Sequence, residues 1–154
     1  MLGQFVLLML ALCTLHSAVA QTKVDAVAAI AMYEGTDRLE RLIAGAKKDG
    51  TLNLYTSIAA SDVSLMTAEF EKRYGVKVNV WRAANDKVLQ RVMAEQAAHR
   101  SDVDIVQIAS LELEAPARED ALQEVRSTIF SQLIAGAVPK HTNWYSHYHH
   151  ASVQ

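Results

Sequence analysis

Five polar residues follow three segments that have the apolar pattern of β-strands, and they are the candidate ligand residues of this chain. They are Ser57, Arg82, Asn85, Asp86 and Ser110. Serine hydroxyls and asparagine amides donate hydrogen bonds, and a guanidinium binds a carboxylate through two parallel N–H groups. Helices are predicted directly after two of these loops, and the first N–H groups of a helix carry a partial positive charge. The hydroxyls, the guanidinium and the helix starts therefore predict a ligand site that suits an anion or a carboxylate.

Helix capping is the alternative explanation for some of these polar residues. Asn85 and Ser61 both precede predicted helices, and their residue types are among the most common N-caps. A cap satisfies the N–H groups of its own helix and needs no ligand. The sequence alone leaves both interpretations open.

A second group of possible ligands lies late in the chain, where four histidines fall within ten residues. These are His141, His147, His149 and His150. Imidazoles at this density can bind zinc or copper. Their spacing is irregular, however, and geometry rather than number makes a metal site. We expect no specific high-affinity metal site here, and a small exported metal-binding protein is the alternative function.

Patterns typical of catalysis are lacking from the sequence. It contains neither G-x-S-x-G nor H-E-x-x-H. Glu112 and Glu114 point to different sides of a predicted helix and are interpreted as solvated, whereas Asp102 and Asp104 are interpreted as turn residues. We therefore expect no enzymatic activity and no resident cofactor.

The elements that must position these residues alternate between helix and strand. Each apolar strand segment is followed by a segment with helical spacing, and parallel strands need such crossover connections. Gly35 divides the first helical segment, and Gly50 and Gly75 are predicted helix stops. The predicted helices cover 24–48, 62–74, a segment from 86 and 111–121, and the predicted strands cover 52–56, 76–81 and 103–108. This order predicts an α/β fold with a mainly parallel sheet and flanking helices.

Composition and charge exclude several classes of protein. The chain has 154 residues, of which 51% are hydrophobic and 21% charged, so it can bury a core and is not a disordered sequence. Fifteen Lys and Arg against seventeen Asp and Glu give a net charge of -2. Nucleic-acid binders usually carry a basic excess, so we expect no nucleic-acid partner.

The first twenty residues have the pattern of a signal peptide. They contain no charged side chain, and the apolar run from Phe5 to Leu15 is short for a membrane span. Ala18-Val19-Ala20 is a small-x-small cleavage site, which predicts cleavage after Ala20 and the loss of Cys13 with the leader. An uncleaved membrane anchor is the alternative. The predicted division is a signal peptide over 1–20 and a folded domain over 21–154.

Several segments in a fixed order resemble the opening of bacterial extracellular solute-binding proteins of ABC transporters. The resemblance is greatest to the family that includes the ferric-iron-binding proteins, and it covers residues 33 to about 144. The segments are Tyr33-Glu34-Gly35, 45–57, 70–78, 82–92 and 102–106.

The resemblance implies the first lobe of a type 2 periplasmic-binding-protein fold, here incomplete. Residues 21–154 are then the partial amino-terminal lobe of a monomeric protein that captures a solute in the periplasm and delivers it to an ABC transporter permease. Ferric iron, as the transported ligand, and an anionic organic compound are both implied. Asp86 falls where some iron-binding members place a carboxylate, but the histidine after the first strand has no counterpart. A cleft with one wall predicts weak solute binding and marginal stability.

Overall fold

The computed structural model describes residues 26–134 and 136–146, where strands and helices alternate. Residues 26–32 are helical and a 3-10 helix covers Thr128–Gln132. The strands are β1 (Thr51–Thr56), β2 (Lys77–Arg82) and β3 (Ile105–Gln107), and the helices are α1 (Arg38–Asp49), α2 (Ala60–Tyr74), α3 (Asn85–Ala97) and α4 (Ser110–Arg118). The predicted leader and its cleavage site lie outside the described residues. None of the described helices is long and apolar enough to cross a membrane.

The three strands form one parallel sheet in the order β2-β1-β3. In the register of the sheet, Thr56 at the end of β1 lies opposite Arg82 at the end of β2 and Gln107 at the end of β3. The carboxyl ends of all three strands are therefore level. The predicted parallel α/β architecture is confirmed.

Two helices end where glycine was predicted to stop them. Gly50 and Gly75 have φ values of 77° and 69°, and the N–H of each donates to the carbonyl four residues earlier. Glycine adopts this left-handed conformation without the steric cost that a Cβ atom brings. The first helical segment is also divided around Gly35, as predicted.

Strand β3 and helix α4 are shorter than predicted. The Asn53 N–H donates to a carboxylate oxygen of Asp104 at 2.7 Å. In a longer strand β3 a backbone carbonyl would accept this hydrogen bond, so the regular pairing of β1 with β3 ends here. Asp104 is thus a sheet-end residue rather than only a turn residue. Helix α4 contains Pro116, which cannot donate a backbone hydrogen bond, and Asp120 has a φ of 53°, which breaks the helical path before Ala121.

The hydrophobic core lies between the sheet and α3. Its buried residues are Tyr55, Val88 and Val92, and Val88 has no solvent exposure. Trp81 packs against this cluster, with its ring centroid 5.1 Å from that of Tyr55 in an edge-to-face arrangement. Aromatic pairs at this distance and angle are favourable beyond the area they bury.

A buried carboxylate is hydrogen-bonded beside this core. Glu95 accepts from the Tyr55 hydroxyl at 2.8 Å, from Arg91 Nε at 2.9 Å and from the Asp102 N–H at 3.2 Å. The Arg91 guanidinium also lies 4.3 Å from the Tyr55 ring centroid and 4.5 Å from that of Trp81. Burial by itself would raise the pKa of Glu95, but the hydrogen bonds from Arg91, Tyr55 and Asp102 outweigh burial and hold the pKa below its usual value.

Acid is therefore expected to weaken the fold through Glu95. A carboxyl whose pKa is lower in the folded state contributes its full stability above the unfolded pKa, which is about 4.3 for glutamate. That contribution is lost as the pH falls through the folded pKa. Thermal unfolding of the native chain and of Glu95→Gln between pH 7 and pH 3 tests this. The difference in Tm between the two should shrink as the pH falls below about 4.3, the pKa of glutamate in the unfolded chain. A difference that stays constant over the whole range would contradict the assignment.

The opposite face of the sheet is only partly covered. Val80, Leu54 and Ile105 lie side by side across the three strands, and the two outer side chains are 40% and 47% exposed. The helical spacing of Val63, Met66, Phe70 and Tyr74 predicts a buried stripe on α2. The helix buries Val63, but Met66 is 52% exposed, so this prediction is wrong at Met66. Within the described residues, the outer edges of β2 and β3 pair with no further strand.

Candidate functional site

The candidate site is the edge of the sheet where the three strands end. Because the strand ends are level, the loops after them meet there. The Ser57 N–H donates to the Gln107 carbonyl at 3.1 Å, and the Ala83 N–H donates to the Thr56 carbonyl at 3.1 Å. These backbone bonds join the loop after β1 to β3 and the loop after β2 to β1. In open α/β sheets this edge is where ligands bind.

Three helices begin at this edge, and alanine is the N-cap of each. The caps are Ala59 for α2, Ala84 for α3 and Ala109 for α4, and in none of the three does a side chain accept from the first turn. The predicted caps are therefore wrong: α2 begins before Ser61, and Asn85 is the first residue of α3. Alanine is a poor N-cap, worth about 1 kcal/mol less than serine or aspartate. The helix starts thus direct uncapped N–H groups to the same edge.

Three of the five predicted ligand residues line one cavity. Ser57, Asn85 and Ser110 border a cavity of about 1220 Å³ that continues along the partly covered face of the sheet. Many of its lining residues are apolar, and they include Leu54, Phe70 and Trp144. Asp104 is the only charged residue among the described residues that line it. The arrangement offers neutral hydrogen-bond donors and helix starts at the mouth of an apolar cavity.

The other two predicted ligand residues lie near this edge but outside the lining of the cavity. Arg82 Nε donates to the Ile58 carbonyl at 2.5 Å, so the guanidinium holds a neighbouring loop. The Asp86 side chain is 73% exposed, and its carboxylate lies 3.9 Å from Lys87 Nζ. Ligand contacts by all five residues stay predictions.

Two residues that the sequence did not single out connect the loops. Thr56 is fully buried, and its hydroxyl donates to Gln107 Oε1 at 3.1 Å. The Thr56 hydroxyl oxygen also accepts from the Ile58 N–H at 3.1 Å. A polar residue at the end of an apolar strand is the only sequence signal for this role, and it is equally typical of a loop start.

The late histidines form no metal centre in the part of the chain that the structure describes. Residues 26–134 and 136–146 contain no group of three or more His, Cys, Asp or Glu side chains that could hold a metal ion. His141 lies 3.4 Å from Glu114, which also accepts from Trp144 Nε1 at 3.2 Å. Glu114 is therefore a contact of the late segment, and its side chain is 37% exposed, so the solvated interpretation holds only in part. His147, His149 and His150 lie outside the described residues.

Burial also contradicts the solvated interpretation of Glu112. One carboxylate oxygen of Glu112 is inaccessible to water and has no hydrogen-bond partner within the described residues. The residue lies in the first turn of α4, where the helix dipole favours a negative charge.

Solved structures of iron-binding proteins share this fold. FutA (IdiA) of Trichodesmium, in complex with iron and citrate, is 26% identical with a TM-score of 0.55 and covers 62% of this chain. Iron-bound HitA of Pseudomonas aeruginosa is 18% identical with a TM-score of 0.56 over 62% of the chain. The ferric binding protein of Campylobacter jejuni is 23% identical with a TM-score of 0.55 over 61% of the chain. No protein-family profile and no curated protein matches the sequence.

The shared region is a minor part of those proteins. The match covers 30%, 31% and 30% of the three solved chains respectively. It corresponds to the parallel sheet with its flanking helices, which is an incomplete lobe of a periplasmic-binding-protein fold. The resemblance seen in the sequence is confirmed by the fold: this chain is built like part of a ferric-iron-binding protein.

Proposed function

We propose that this chain forms one wall of the solute site of an exported binding protein that serves an ABC importer. The observation that carries the proposal is the fold that it shares with iron-binding proteins, and the proposed binding edge is at the ends of β1, β2 and β3 because ligands of open α/β sheets bind beyond the carboxyl ends of the strands. The uncapped starts of α2, α3 and α4 at that edge support it. A binding role needs no catalytic groups, and we propose no enzymatic activity and no resident cofactor.

The solute class that we propose is ferric iron or an anionic organic compound. The solved FutA structure holds iron and citrate together. Helix starts and neutral donors such as Ser57, Asn85 and Ser110 suit a carboxylate. The described residues contain no group of three or more side chains that could hold a metal ion, so a ferric ion bound at this wall would need further ligands besides Asp86.

The proposed setting is the periplasm. Export would use the leader over 1–20 with cleavage after Ala20, and the loaded protein would meet the permease as a monomer. The rival function, a metal-binding protein built on the late histidines, gains no support from His141, which contacts Glu114.

Citrate is expected to bind weakly and to act on all three helix starts. In an NMR titration of residues 21–154 with citrate, the largest amide shift changes should lie at 57–61, 84–87 and 109–112. The Kd should be about 1 mM or weaker, because a single wall leaves most of the ligand exposed to solvent. Ser110→Ala should reduce the response, and Ser101→Ala, which changes an exposed serine away from this edge, should not.

Ferric citrate and glucose complete the titration. Glucose, which has no charge, should leave these amides unmoved. Citrate shifts that lie mainly at the late histidines, or no shifts at the three helix starts, would contradict the proposed site. Tight binding of ferric citrate with a large rise in Tm would instead show that one wall suffices.

A further inference from the structure

Thr56 carries a hydroxyl at a place where the fold would favour a methyl group. It is the last residue of the central strand, lies between Arg82 and Gln107 in the register, and is 0% exposed. A buried hydroxyl costs free energy unless its hydrogen bonds are made, whereas valine has nearly the same shape without that cost. The hydroxyl therefore needs a structural reason.

The reason lies in the two hydrogen bonds of Thr56 Oγ1. The oxygen donates to the Gln107 side chain at the end of β3 and accepts from the Ile58 N–H in the loop after β1, both at 3.1 Å. The Thr56 carbonyl accepts from the Ala83 N–H in the loop after β2. A single residue thus contacts the end of β3 and the loops after β1 and β2.

Arg82 completes the restraint on Ile58. The N–H of Ile58 is held by Thr56 and its carbonyl by Arg82 Nε, so both backbone polar groups of this loop residue are bound by side chains. The next residue is Ala59, the uncapped start of α2. With no capping side chain to orient the first turn, the position of Ile58 sets where the α2 N–H groups point.

We propose that Thr56 and Arg82 are positioning residues that clamp Ile58 and thereby aim the start of α2 at the solute. This inference rests on the proposed function and deepens it. The bond to the Ile58 carbonyl uses only Nε of Arg82, so the positioning role adds to the predicted ligand contact of the guanidinium and does not replace it.

Two substitutions at Thr56 separate positioning from packing. Thr56→Val keeps the shape and removes the oxygen, whereas Thr56→Ser keeps the oxygen and removes a methyl group. We expect the Ile58 amide to exchange with solvent at least tenfold faster in Thr56→Val, because it loses its acceptor, and to stay protected in Thr56→Ser. A packing role would give the reverse order, and that result would overturn the proposal.

Substitution of the exposed Arg82 tests the clamp without touching the core. Arg82→Met keeps the aliphatic stem and removes the donor. The amide resonance of Ala59, which shares a peptide unit with the Ile58 carbonyl, should move, and the citrate response should fall at 57–61 while that at 109–112 is kept. A ligand role alone would instead reduce the citrate response at all three helix starts with the Ala59 resonance unmoved, and would overturn the positioning role.

The measurements on Ile58 and Ala59 test the clamp, and the citrate titration tests the proposed function, so the two can be contradicted independently. Amide exchange at Ile58 and the Ala59 resonance need no ligand, so they test the clamp even where citrate produces no shift. An absent citrate response in the native chain would count against the proposed function, and unchanged Ile58 exchange in Thr56→Val would count against the clamp. If Thr56→Val does not fold, Arg82→Met alone decides, with an unmoved Ala59 resonance as the contradicting result.

Discussion

Replacing Glu95 by alanine should lower the free energy of unfolding by about 2–3 kcal/mol, because three donors lose their acceptor at once. The Tyr55 hydroxyl and the Asp102 N–H would remain without that partner beside the core. Arg91 is 38% exposed and can turn to water, which keeps the loss below that of a fully buried ion pair. Urea unfolding followed by tryptophan fluorescence measures the change.

Two control variants test whether the loss of stability comes from the buried hydrogen bonds of Glu95. Glu95→Gln keeps an acceptor for Tyr55 and should lose less stability than Glu95→Ala. Glu69→Gln removes an exposed carboxylate, 3.9 Å from Lys72, and should change stability little, as exposed pairs usually do. Equal losses for Glu95→Ala and Glu69→Gln would show that the buried network does not stabilise the fold. Since small domains have only about 5–15 kcal/mol in total, the expected loss is a large share.

The second large effect is expected from Val88→Ala, with a loss of about 2 kcal/mol. Two methyl groups leave a site with no solvent exposure between Tyr55 and Val92, so transfer free energy is lost and a cavity remains. The better helix propensity of alanine offsets about 0.5 kcal/mol. Differential scanning calorimetry or urea unfolding measures this loss.

Val27→Ala is the matched control, since it makes the same change in a helical segment where the side chain is 49% exposed. It should leave stability unchanged or slightly higher, because propensity improves and little burial is lost. A similar loss in both variants would mean that Val88 does not lie in the principal core.

The sequence by itself determined the architecture. The alternation of strand and helix patterns predicts a parallel sheet, and Gly50 and Gly75 mark helix ends, because periodicity and left-handed backbone are local properties. The resemblance to ferric-iron-binding proteins also came from ordered local segments. Even the proximity of Ser57, Asn85 and Ser110 follows from local information, since residues after parallel strands must meet at one edge.

Only the tertiary structure decided what each polar side chain does at that edge. Asn85 is the right residue type for a cap, yet Ala84 occupies the N-cap position of its helix. The Asn85 Oδ1 instead accepts a hydrogen bond from the backbone nitrogen of Ala109 at 3.4 Å. Arg82 is predicted as a ligand residue from its type, and only the fold shows that its Nε holds the Ile58 carbonyl. Arg91 and Glu95 are four residues apart on one helix and readable as a pair, whereas Tyr55 is forty residues from Glu95. The physical reason is the range of the interaction: a side-chain hydrogen bond depends on which segments the fold brings within about 3 Å, and spacing along the chain does not encode that distance.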